Sequence, residues 1–229
     1  MVRIFNRTKQ QEPMPHFYRT IPGMFHFAGL YRRAVERAPD PAIFVEIGCH
    51  LGCSTAFLVV EALNSGKDIT IYAVDLWDKE SKWKAGPEDF LGYLGHMPNV
   101  VPLHRHSQEA VRQFADGSLD FIWIDGNHRY PGCWLDIRSW WHRLKSGGWM
   151  GGDDLNYHGV AKSVRLFFGE ECVVDHPNGA WARYQETYLI EPTGLCRPDA
   201  RRLCWWVRDK DDSWNPTGLH RKVRWQGNG

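Results

Sequence analysis

Four short apolar runs, Ile43–Ile47, Ile69–Val74, Val100–Leu103 and Leu119–Ile124, are each followed by a glycine or a polar residue, and segments of helical spacing lie between them. This alternation is the pattern of parallel βαβ units. The first run ends at Gly48, and Ser54–Leu63 reads as a helix capped by Ser54 or Thr55. Short helices are expected at Glu88–Leu94 and Ser107–Phe114. Pro131 opens a longer one, whose Trp134, Ile137, Trp141 and Leu144 share a face while Asp136, Arg138 and Arg143 lie off it. Gly147 and Gly148 stop that helix, Trp149–Gly152 is a short fifth strand, and Gly159–Phe168 is a further helix. Val173–Val174 and Ala180–Leu189 are expected to add two antiparallel edge strands, giving a doubly wound, Rossmann-like α/β sheet of seven strands with helices on both faces. Regular structure is expected to end near Ile190.

Three regions follow. Residues 1–40 form an N-terminal helical appendage with one helix, Phe25–Arg37; residues 41–190 form the α/β domain; residues 191–229 form a Trp-rich basic extension. The formal net charge is +1, but residues 1–40 hold seven Lys/Arg against three Asp/Glu, and residues 196–229 hold eight against four. The middle is therefore acidic. Neither end has the sustained basic run used to grip nucleic acid, so solvated or packed ends are the simpler reading. No window approaches a membrane span, and the basic opening Met1–Lys9 is not followed by the apolar stretch of a secretory signal. Six cysteines scattered through 229 residues do not resemble a disulfide framework, and a cytoplasmic location is expected.

In an open parallel sheet, ligands bind beyond the carboxyl ends of the strands. Strand one ends in Glu46-Ile-Gly48-Cys-His-Leu-Gly52-Cys-Ser54-Thr55, where two glycines let the backbone turn tightly beside a helix N-terminus. It is neither the dinucleotide G-x-G-x-x-G nor a phosphate-binding G-K-[ST] loop. Glu46 before the first glycine and Asp75 at the end of strand two suit a ligand carrying an ammonium group and a ribose diol, and S-adenosylmethionine has both. Cys49, Cys53, His104 and His106 are poorly spaced for zinc.

Together with His106-Ser107 after strand three, Ile124-Asp-Gly-Asn-His-Arg-Tyr130 and Leu144-Lys-Ser-Gly-Gly-Trp-Met-Gly-Gly-Asp-Asp154, these motifs resemble the class I S-adenosylmethionine-dependent O-methyltransferases over residues 41–190. Within them the chain is similar to the family-24 group, related to metal-dependent sugar and catechol methyltransferases. The resemblance implies that Glu46, Gly48, Gly52 and Ser54 surround the methionine end of the cofactor, that Asp75 takes the ribose hydroxyls with Trp77 nearby, and that His106 and Ser107 contact adenine. It also implies that Asp125 and the Asp153-Asp154 pair lie on neighbouring strands. Three carboxylates that close repel unless one is protonated or a cation sits among them, and all-oxygen ligation suits Mg²⁺ or a similar divalent ion. The competing reading has Asp153 capping a turn and Asp154 solvated.

His128 stands at the spacing where catechol-type members place a catalytic lysine. It is the expected general base, with Asp125 beside it; its other role would be a structural hydrogen bond before Pro131. Tyr130, Asn156, Tyr157 and His158 are further candidates for the acceptor side. The implied reaction is metal-assisted O-methylation of a small hydroxylated acceptor, a sugar diol or a catechol. Its rivals are a nucleic-acid methyltransferase, for which the [DNS]-P-P-[YFW] motif is replaced by Asp125-Gly-Asn-His128, and a non-catalytic cofactor-binding module. The partner expected is a small molecule, with no membrane, and a homo-oligomer is left open.

Overall fold

The structure, a computed structural model, describes residues 12–79, 84–155, 157–168 and 205–207. A 3₁₀ turn at Tyr18–Thr20 and helix α1 (Ala28–Arg37) precede the sheet. Then follow β1 (Ala42–Ile47), α2 (Cys53–Ser65), β2 (Ile69–Asp75), α3 (Pro87–Leu94), β3 (Val100–His104), α4 (Ser107–Ala110) and β4 (Leu119–Ile124). The last elements are α5 (Gly132–Trp141), β5 (Leu144–Gly152), α6 (His158–Phe168) and β6 (Trp205–Val207). The strand order is β3-β2-β1-β4-β5-β6, with the first five parallel and β6 antiparallel to β5.

All six residues of β4 are buried, because both faces of the sheet are covered. Phe44, Ile71, Phe121 and Trp123 pack under α1, α2 and the N-terminal segment. Val45, Ile47, Ile122 and Ile124 pack under α5 and α6. β1 lies between β2 and β4, and the strand order reverses between β1 and β4.

Several local expectations are corrected. Helix α2 is capped by Gly52, at φ 91°, while Ser54 and Thr55 are buried inside its first turn. Ser54 spends its hydroxyl on Glu46 instead of on the helix end. Helix α5 ends at Trp141, and Leu144 belongs to β5, paired with Leu119. The buried face of α5 carries Cys133, Asp136, Ile137, Trp140 and Trp141, so Asp136 turns inward. It does so because Gln108 Nε2 donates to its Oδ1 at 2.8 Å. Six strands are described; the expected strands at 173–174 and 180–189 lie outside the described residues. Trp205–Val207 forms an edge strand beyond the point where regular structure was expected to stop. No helix among the described residues is long and apolar enough to cross a membrane.

Residues 14–27 are docked on the helices and the sheet. Asn64 bonds both main-chain groups of Met14, His16 stacks on Phe57 at 4.4 Å and pairs with Glu61, and Phe27 packs on Trp123 at 4.5 Å.

Candidate active site

The carboxyl ends of β2, β1, β4 and β5 bring their polar residues to one edge of the sheet. Two of these ends touch. Gly48, at φ 88°, lies so close to β4 that a Cβ there would stand 2.0 Å from the Asp125 carbonyl oxygen. Only glycine permits both that backbone conformation and that approach. Gly52 likewise has no room for a side chain, because Leu94 and Phe90 of α3 close over it.

On the β1–β2 side, Glu46 is fully buried. Its Oε1 accepts from Tyr31 Oη at 2.8 Å and from Ser54 Oγ at 2.5 Å. Oε2 has no hydrogen-bond partner among the described residues. Burial pushes this carboxyl above the ordinary range, and the hydroxyls of Ser54, Thr55 and Tyr31 work in the opposite direction. Asp75 accepts from two loop amides, His50 N at 2.8 Å on Oδ2 and Trp77 N at 2.9 Å on Oδ1. Each of its oxygens keeps a lone pair for a further donor. Trp77 is buried and donates from Nε1 to His50 O at 2.6 Å, so it locks the glycine loop and does not stand open beside it. His106 caps α4, its Nδ1 accepting from Gln108 N, and Ser107 Oγ accepts from Trp140 Nε1 at 2.7 Å.

On the β4–β5 side, His128 Nε2 lies 2.8 Å from Asp154 Oδ2 and 3.7 Å from Asp125 Oδ1. Asp154 adopts φ 62°, and its amide donates to Asp153 Oδ1 at 2.8 Å. Asp153 turns away from the group: the same Oδ1 lies 3.2 Å from His26 Nε2, with both side chains nearly buried. The expected trio of Asp125, Asp153 and Asp154 is thus rearranged. Asp125, His128 and Asp154 come together, each offering a ligand atom within 4.8 Å of the others, and Asp153 is held by a histidine the sequence reading did not select.

The signal for His26 was present but slight. In Phe25-His26-Phe27 the outer rings are core residues and the alternation turns the imidazole elsewhere. Two histidines among three carboxylates also answer the charge problem raised by the sequence. The neighbouring carboxylates, outweighing burial, raise His26 above its ordinary value and His128 to about 10. Burial and the negative charges of Asp153 and Asp154 lift Asp125 to about 8, with His128 opposing. These groups titrate as a unit, not singly. Tyr157 lies 5.1 Å from the His128 ring and is half exposed, as is Tyr130, over which Lys162 sits at 4.1 Å. His158 opens α6, and Asn156 is outside the described residues. A cavity of about 270 Å³ lined by Arg37, Phe44, Asp120, Lys145 and Trp149 sits toward the amino ends of β1, β4 and β5 and touches none of these groups.

Residues 45–155 match the family-24 branch of the family described as a methyltransferase domain. That match covers 111 of the 229 residues. The likeness in fold agrees. An S-adenosylmethionine-dependent O-methyltransferase from Thermotoga maritima superposes with TM-score 0.52 at 14% identity, over 82% of this chain and 66% of that one. An rRNA methylase from Streptococcus thermophilus gives TM-score 0.50 at 14% identity, over 80% of this chain and 95% of that one. A precorrin 8w decarboxylase from Methanobacterium thermoautotrophicum gives 0.50 at 18%, over 84% and 95%. The protein y4gI of Sinorhizobium fredii, named as uncharacterized, is 27% identical over 185 residues, which is 78% of this chain and 18% of y4gI. The chain therefore spans about a fifth of that curated relative.

Proposed function

We propose that the methyltransferase domain transfers the methyl group of S-adenosylmethionine to a hydroxyl of a small acceptor, of the sugar-diol or catechol class. The observation that carries this reading is the division of the site at the contact between Gly48 and Asp125. Carboxylates suited to the cofactor lie on one side, and an Asp-His-Asp group suited to a proton lies on the other. The cofactor fits the residues present: the buried, unpartnered Glu46 Oε2 lacks a donor, and Asp75 has one lone pair per oxygen for a diol. Glu46, Gly48, Gly52 and Ser54 would hold its methionine end, Asp75 its ribose, and His106 and Ser107 its adenine, with Trp77 fixing the loop from behind. When bound, S-adenosylmethionine supplies an activated methyl group on a sulfonium.

The chain's own residues then have to orient the acceptor oxygen and take its proton. Asp125, His128 and Asp154 share their protons as one group, with His128 Nε2 2.8 Å from Asp154 Oδ2 and 3.7 Å from Asp125 Oδ1, and this group is the acceptor for the hydroxyl proton. His128, held by Asp154, is placed to steady the negative charge that develops on the acceptor oxygen. The half-exposed rings of Tyr130 and Tyr157 border the same space.

One observation favours a second reading, in which a divalent cation sits among Asp125, His128 and Asp154, whose ligand atoms lie within 4.8 Å of one another. Two carboxylates and an imidazole suit manganese, iron or zinc better than Mg²⁺, which prefers oxygen and water. Such an ion would polarise the acceptor hydroxyl.

Calorimetry with S-adenosylmethionine and S-adenosylhomocysteine, followed by transfer of labelled methyl to a panel of hydroxylated acceptors with and without a chelator, tests both readings. Absence of cofactor binding at millimolar concentration defeats the first. Turnover untouched by the chelator defeats the second.

A further inference from the structure

The N-terminal segment reaches the site as well as the core. Phe27 is buried against Trp123 of β4, two residues before Asp125, and Phe25 packs on Phe57 of α2. With both neighbours fixed in the aromatic layer, the His26 ring is carried to the carboxyl ends of β4 and β5. There Nε2 meets Asp153 Oδ1 at 3.2 Å, each side chain 9% exposed. That oxygen also accepts the Asp154 amide at 2.8 Å. Asp154 is a non-glycine residue at φ 62°, a conformation that such side chains adopt uncommonly and that a local bond to the backbone helps to hold. Its own Oδ2 is then aimed at His128 Nε2, 2.8 Å away.

We propose that His26 is a positioning residue of the site: it clamps the Asp153 carboxylate, which holds the turn at Asp154 that aims Asp154 at His128. The inference rests on the reading of Asp125, His128 and Asp154 as the acceptor-side group. It extends that reading to a segment 127 residues away in the chain, outside the matched methyltransferase domain. Without a donor at position 26, the Asp153 oxygen that takes the Asp154 amide loses its imidazole partner, and the left-handed turn at Asp154 is held less firmly. The 2.8 Å contact of Asp154 with His128 loosens with it. Tyr31, on the helix that follows, reaches Glu46 from the same segment, so the two arms of the site are both braced from the N-terminal side.

The experiment is imidazole-selective ¹H–¹⁵N NMR of the full chain, reading the His128 ring. His26→Phe keeps a ring but removes the donor; His26→Gln restores an N–H near the Nε2 position. Expected is loss of the hydrogen-bonded His128 ring proton in His26→Phe and its return in His26→Gln, with S-adenosylmethionine affinity within about threefold of wild type in both. His128 signals unchanged in His26→Phe, or lost equally in His26→Gln, overturn the proposal, since bulk packing alone would then account for the histidine. If His26→Phe does not fold, His26→Asn against His26→Gln gives the same contrast, because the shorter amide does not span to Asp153. A wild-type chain that binds no S-adenosylmethionine removes the methyltransferase reading alone, and the ring-proton contrast still decides the role of His26.

Discussion

The contact between Gly48 and Asp125 can be broken with a single methyl group. In Gly48→Ala the new Cβ falls 2.0 Å from the Asp125 carbonyl oxygen and 2.4 Å from its carbon, where real Cβ contacts essentially never come under 3.0 Å. The obstacle is backbone on both sides, so no side chain can swing away, and the ends of β1 and β4 must part by about 1 Å. Forcing φ 88° on a residue with a Cβ adds roughly 1–2 kcal/mol, and overpacking of this kind typically costs about 1–3 kcal/mol. The sum, roughly 2–5 kcal/mol, is a large share of the ~5–15 kcal/mol that holds a domain together. For a chain of this size it corresponds to a fall in Tm of roughly 5–20 °C. Circular dichroism melts and urea unfolding measure it. Gly92→Ala is the control: it lies within α3 with nothing within 4 Å of the added atom and should raise stability by up to about 1 kcal/mol. A Gly48→Ala chain melting within about 2 °C of wild type would mean that the two strand ends are not in contact, and the division of the site at that point would go with it.

Further outcomes follow from the same geometry. Tyr31→Phe removes one of the two hydroxyls that donate to Oε1 of buried Glu46 and should cost about 1–3 kcal/mol in urea unfolding. Asp125→Asn and Asp154→Asn should each depress methyl transfer by more than about tenfold with S-adenosylmethionine affinity little changed, and the double variant should lose little more than a single one, because the groups act together. Asp75→Ala should weaken S-adenosylmethionine binding by more than about tenfold in calorimetry, since it removes the oxygens assigned to the ribose diol. Stability should fall as pH rises from about 6.5 toward 10. His128 keeps in the folded chain a proton that the unfolded chain releases, so its contribution is fully present below the unfolded value and is lost as pH climbs through about 10. Asp125 acts in the same direction below about 8, and His128→Gln should flatten the pH dependence of Tm.

The strands β1, β2 and β4 were legible because each is a short apolar run ended by a glycine or a polar residue, and burial on both faces leaves such a run little alternative. The end of α5 was less legible. Leu144 continues the helical spacing, and only its pairing with Leu119 across the sheet assigns it to β5. Asp136 reads as a surface residue until Gln108, from another helix, supplies a donor inside. On the site, Asp75, Asp125 and Asp154 stand at strand ends, where topology alone makes polar residues informative. Asp153 and His26 do not yield to that reasoning: which way two adjacent carboxylates turn depends on a partner 127 residues away, and the Phe25-His26-Phe27 alternation tells only that the imidazole leaves the core, not where it goes.

The central position of β1 has a cost during synthesis. β1 is made first among the strands, yet its second neighbour, β4, begins only at Leu119. At ~5–20 residues per second, a ribosome needs roughly 4–14 s to go from Ile47 to Leu119. For that interval the nascent chain holds β1, β2 and β3 with the edge of β1 that later pairs with β4 bare, an open template for a second chain. A fragment ending before Leu119 carries Glu46 and Asp75 but keeps that edge exposed, so it should aggregate as it leaves the ribosome.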